Sequence, residues 1–128
     1  MSYKSAQGEV YKALRRQLVR NGVPVGETAD YPRVEIHSFT ENAPTDKDGR
    51  MRTLSCTVES MSVKSYGEAV TMNGENLQRL MAEGWGIGKE FSIIGITPDQ
   101  LTELTEILET KEILYRQLQR INVLIWQN

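Results

Sequence analysis

One cysteine and one histidine are all that the 128 residues contain of the side chains most often used as thiol nucleophile, imidazole base or soft metal ligand. Cys56 alone cannot close an internal disulfide, and no cysteine and histidine cluster is present to hold a zinc ion. Charge of one sign is lacking too. The 15 basic and 17 acidic residues leave a net charge of −2, so no excess would hold the chain on a phosphate backbone or an anionic membrane. No apolar run approaches the roughly 20 residues of a membrane span. Residues 1–17 interleave Lys4, Glu9, Lys12, Arg15 and Arg16 with apolar positions, unlike a secretory leader. The expectation is a soluble product of the cytoplasm without cofactor or metal, folded as one domain over residues 1–128 around one core.

What is present is a sequence of alternating periodicities. Over residues 3–20, Ala6, Val10, Ala13, Leu14 and Leu18 recur three or four apart and predict a helix, which Asn21-Gly22 ends and Pro24 keeps from resuming. Residues 31–39 alternate, with Val34 and Ile36 on one side and Arg33, Glu35 and His37 on the other, as in a half-buried strand. The polar stretch 40–50 reads as a long hairpin loop with Asp48-Gly49 near its tip. A second strand follows, with Leu54, Cys56 and Val58 in its apolar phase.

Ser65 and Glu68 have the spacing of a capping box. The helix they start should run from Tyr66 to about Glu83 and bury Ala69, Val70, Leu77, Leu80 and Met81, before Gly84, Gly86 and Gly88 end it. Residues 91–96 predict a third strand. The 97–108 stretch is ambiguous, because Thr97, Pro98 and Gln100 suit a helix start while the threonines tolerate a strand. The last segment also fits both periods, and the β-branched and aromatic ending decides for a strand, paired back through a turn near residues 109–112. The fold class is therefore α+β, an antiparallel sheet of about four strands with two helices packed on one face.

Candidate chemistry is sparse. His37 has no nucleophile motif beside it and reads as an exposed or half-exposed strand residue, and Cys56 reads as core. The segment Gly84-Trp85-Gly86-Ile87-Gly88-Lys89 resembles a phosphate loop only superficially, since Glu83 and Glu90 stand where a Walker loop needs glycine and serine or threonine. Asp46-Lys47-Asp48-Gly49 lacks the twelfth-position glutamate of a calcium loop, that place being Thr57. Near the C-terminus both phases are apolar, Leu124 and Trp126 on one and Val123 and Ile125 on the other, which one small domain seldom buries alone. Arg116 and Arg120, four apart on a strand, point to one side beside Trp126. These residues, with Asp46, Lys47, Asp48 and Arg50 of the loop, are the candidates for a subunit or partner interface.

The order of helix, strand, polar loop, strand, helix, glycine-rich turn and final hairpin resembles the tail-terminator and tail-completion family of long-tailed bacteriophages. The resemblance is carried by Tyr31-Pro32-Arg33-Val34-Glu35-Ile36, by residues 54–65 leading into the second helix, and by the closing Tyr115-Arg116-Gln117-Leu118-Gln119-Arg120-Ile121. It departs from the family at the helix-like 97–108 segment. The resemblance implies a structural subunit, not an enzyme, with no catalytic residues. It would be made in the host bacterial cytoplasm and incorporated in the virion, as a homo-oligomeric ring, a hexamer, that caps the tail tube and faces the head-side connector. DNA would at most pass through that ring. A head-completion or other neck protein, and a small monomeric binding module, are the alternative readings. A ring also suits the physics, since neighbouring copies would cover the edges and the helix-free face of such a sheet.

Overall fold

The computed structural model describes residues 5–19, 24–26, 30–42 and 50–128. The elements are helix α1 (Gln7–Val19), strands β1 (Arg33–Glu41) and β2 (Met51–Ser62), helix α2 (Tyr66–Leu80), and strands β3 (Phe91–Ile107) and β4 (Ile113–Gln127). The four strands form one antiparallel sheet in the order β1-β2-β4-β3. Two hairpins thus lie side by side, with β4 inserted next to β2 and β3 left at the rim.

One face of the sheet carries the core. Val34 and Ile36 of β1, Leu54, Cys56 and Val58 of β2, and Ile121, Val123 and Ile125 of β4 share a phase and pack against Ala6, Val10, Ala13, Leu14 and Leu18 of the α1 region and Met72 and Leu80 of α2. The predicted stripe of the first helix is fully buried. Its N-terminus is held by Glu41 at the end of β1, whose Oε1 accepts from the Ala6 amide at 3.0 Å and from Ser5 Oγ at 3.2 Å. A carboxylate at this end complements the positive end of the helix dipole. Arg52, itself buried, approaches the other Glu41 oxygen at 3.5 Å and lies over the Phe91 ring, so helix, β1 and β3 are tied at one corner.

The second helix departs from its predicted packing. Ser65 Oγ accepts from the Glu68 amide at 3.0 Å, as a capping residue does, but the Glu68 carboxylate accepts from Ser62 Oγ at 2.6 Å instead of completing the reciprocal box. The buried face is Ala69, Met72, Asn73, Asn76 and Leu80, while Val70 and Met81 are exposed. Polar residues prevail because the sheet beneath is polar there. Asn76 Nδ2 donates to Ser60 Oγ at 2.9 Å, and Asn73 Nδ2 donates to Gln119 Oε1 at 3.3 Å. These hydrogen bonds offset part of the cost of burying the amides, while the buried Asn73 Oδ1 has no partner among the described residues.

The ambiguous 97–108 stretch is strand through Ile107. Strand β3 runs 17 residues, interrupted by register shifts between Ile93 and Gly95 and between Pro98 and Leu101. Pro98 is tolerated because β3 is an edge strand and its second shift falls at this residue. The turn to β4 closes where the sequence placed it: the Lys111 amide donates to Leu108 O at 2.8 Å and the Leu108 amide to Glu112 O at 2.9 Å. Lys111 occupies the left-handed region, φ 72°. The glycine-rich segment before β3 is a turn, with positive φ at Gly84 and Gly88, and Trp85 Nε1 donates to Leu80 O at 3.1 Å, satisfying a carbonyl at the end of α2.

Candidate interaction surface

Strand periodicity sends every second residue of β4 away from the helices. Arg116, Leu118, Arg120, Asn122, Leu124 and Trp126 emerge on the second face of the sheet, beside Glu59 and Thr57 of β2 and Arg33, Glu35 and His37 of β1. Among the described residues no helix packs on this face.

Its centre is Glu59, a carboxylate only 2% exposed although no helix covers it. Oε2 accepts from Arg116 Nε at 2.6 Å, and Oε1 from His37 Nε2 at 2.8 Å. An ionised carboxylate can only accept, so Nε2 carries a proton, and in the neutral ring Nδ1 accepts from Ser38 Oγ, 2.7 Å away. Burial would push the Glu59 pKa up, but the hydrogen bonds from Arg116 and His37, with their charges, outweigh it and hold the group below its ordinary value. The bond to Glu59 correspondingly raises Arg116 above the ordinary guanidinium value, against the opposing effect of burial. Arg116 also approaches Glu106 of β3 at 3.9 Å, and Arg33 approaches Glu35 at 3.7 Å. The charges of this face are therefore largely matched within the subunit.

Arg120 spans three strands. From β4 it reaches over β2, where Nη1 donates to Thr57 Oγ1 at 3.2 Å, to β1, where it donates to the Ser38 carbonyl and to Thr40 Oγ1, the latter at 3.1 Å. Ser38 has φ 60° at the register shift between His37 and Thr40, a conformation uncommon for a side chain other than glycine. The Arg120 and His37 contacts hold that irregular position in place.

Of the residues predicted for an interface, Arg116, Arg120 and Trp126 share this face, and the Arg50 guanidinium lies 5.9 Å from the Trp126 ring centre. Arg116 and Trp126 are ten positions apart on β4, about 33 Å along an extended strand, so they belong to two ends of one surface. Asp46, Lys47 and Asp48, and with them most of the predicted docking loop, lie outside the described residues. Glu59 was not among the predicted residues. Its phase on β2 marks it as outward-facing, but only the β2 to β4 register brings it to Arg116. Cys56 lies fully buried in the core, where burial pushes its thiol up to about 12 despite the opposing charge of Arg120.

No protein-family model and no curated protein matches this sequence. Among solved structures, a chain from the virion of a native gene transfer agent particle superposes with a TM-score of 0.72 over 96% of this chain and 99% of that one, at 11% identity. At that identity the likeness is one of fold, and it extends over essentially the whole of both chains.

Proposed function

We propose that this chain is a structural, non-enzymatic subunit of a phage-like virion, a tail-terminator or tail-completion protein that forms a ring at the head-proximal end of the tail tube. The observation that carries this reading is the end-to-end match of its fold to a chain of a gene transfer agent virion. The surface agrees with such a role. A sheet face that neither helix covers, with its charges largely matched internally and the Arg50 and Trp126 pair at one end, is suited to lie against another protein. Cys56, the one thiol of the chain, is buried in the core and presents no nucleophile at the surface.

The partners in this reading are further copies of the chain, the tail tube protein and the head-side connector. A head-completion or other neck protein is the second reading, because the fold match is to a chain of a virion and favours no position within the particle. The discriminating experiment adds the purified protein to tail tubes that lack a cap and images them by electron microscopy. Density confined to one tube end supports the terminator. Binding only to the isolated portal and connector would move the protein to the head side, and binding to neither would overturn both readings.

A further inference from the structure

The two edges of the sheet are finished differently. The edge of β1 is covered in part by residues 24–26, whose backbone exchanges hydrogen bonds with Val34: Gly26 N to Val34 O at 2.8 Å and Val34 N to Pro24 O at 2.9 Å. Strand β3 has no such cover among the described residues. Its first half is protected by Pro98 and two register shifts, which obstruct strand addition. The stretch from Leu101 to Ile107 has neither device. It pairs regularly with β4 and leaves Leu101 and Leu104 each 44% exposed and Ile107 78% exposed, with Ile113 at 43% across the turn. A regular edge flanked by apolar side chains is the kind of edge that natural sheets cover.

Charge selects what covers it. Between residues 97 and 113 the chain carries Asp99, Glu103, Glu106, Glu109 and Glu112 against Lys111 alone, and with Arg116 set against Glu106 the local charge is −3. Two copies meeting edge to edge about a twofold axis would bring these carboxylates together, which disfavours a symmetric dimer through β3. A basic surface is required, and this chain has one at its other side. Lys12, Arg15 and Arg16 are exposed on α1 at spacings of three and four, a single stripe opposite the buried one. Helix α1 packs over β1, and Arg15 lies beside Gly26, where a side chain would come within 3.7 Å of its guanidinium. With β1 and β3 three strand spacings apart, the acidic edge and the basic stripe stand about 14 Å or more from each other, on opposite sides of the subunit.

We propose that copies of this chain join head to tail, the 101–113 edge of the β3 to β4 hairpin of one subunit docking on the Lys12, Arg15 and Arg16 stripe of the next. Such a contact uses two different patches, so repetition generates a ring when the rotation closes. This inference deepens the ring reading above and rests on it.

Paired charge reversal tests it. One variant carries Glu109→Lys and Glu112→Lys, and a second carries Lys12→Glu and Arg16→Glu, all at exposed positions. Each variant alone places like charges across every contact and should associate at least about tenfold more weakly than the unmodified chain. Mixed in equal amounts, the two variants can alternate so that every contact again pairs opposite charges, and assembly should return to near the unmodified level. Circular dichroism of each variant checks that it is folded. Recovery on mixing cannot arise from misfolding of either variant. If the unmodified chain assembles and the variants assemble equally well, or fail to recover on mixing while folded, the docking is wrong and the ring stands. If the unmodified chain assembles neither alone at any concentration nor on added tail tubes, both fall.

Discussion

Glu59 Oε2 and Arg116 Nε lie 2.6 Å apart across the β2 to β4 pair, on the sheet face that neither helix covers. With His37 on its other oxygen, Glu59 joins three strands at a position where a carboxylate is almost entirely withdrawn from water. Such a group is stable only while its partners remain.

Replacing Glu59 with alanine should therefore cost about 1.5–3 kcal/mol, the range for hydrogen bonds to a charged group. The loss falls short of that for a fully enclosed ion pair because Arg116 and His37, 27% and 38% exposed, can turn to solvent. Urea denaturation of the variant against the unmodified chain measures it. An unchanged midpoint would show that the carboxylate is dispensable.

The same group gives the fold a pH dependence of known sign. Its folded-state pKa lies below the ordinary 4.5, so the unfolded chain takes up the proton first as pH falls. The stabilisation is fully present above the ordinary value and is lost as pH falls through the folded one. The stability difference between the unmodified chain and Glu59→Gln should be largest near neutrality and shrink below about pH 4. Paired denaturation curves across that interval check it, and a difference that grows on acidification would contradict the assignment.

Arg120 should act on β1 from two strands away. Arg120→Lys retains the charge but not the planar fork that reaches Thr57, the Ser38 carbonyl and Thr40 together. The expected result is faster amide exchange at residues 38–40 with little change at the centre of β4. Uniform acceleration along the sheet would instead mean a global loss of stability.

Cys56 should be inert to a thiol reagent in the folded protein and react fully once it is unfolded, because it is sealed in the core and its thiol pKa is raised to about 12. Fast labelling under native conditions would require that the core open readily.

Much of this architecture is legible in the sequence, and the reasons differ by element. The α1 stripe and the alternation of β1 and β2 are readable because each element buries apolar residues at its own period. Helix α2 misleads because its buried face is Asn73 and Asn76 as much as Met72 and Leu80, and hydrophobicity cannot signal an amide that is buried by hydrogen bonding. Strand β3 is ambiguous for a related reason. Leu101 and Leu104 recur at a helical interval, yet in the strand they fall on opposite faces and both remain exposed, so burial never imposed a period on them. Arg116 and Arg120 are correctly read as sharing a face. Their internal partners Glu59, Thr57 and Ser38 become visible only with the strand register.

The central claim is that this chain is a ring subunit, and its mass in solution tests that most directly. Light scattering after size separation, over a range of concentrations and with negative-stain images of each peak, should show the 14.5 kDa chain giving way to a closed ring of about six copies. A mass that stays at 14.5 kDa at every concentration, with no binding when tail tubes are added, would contradict it.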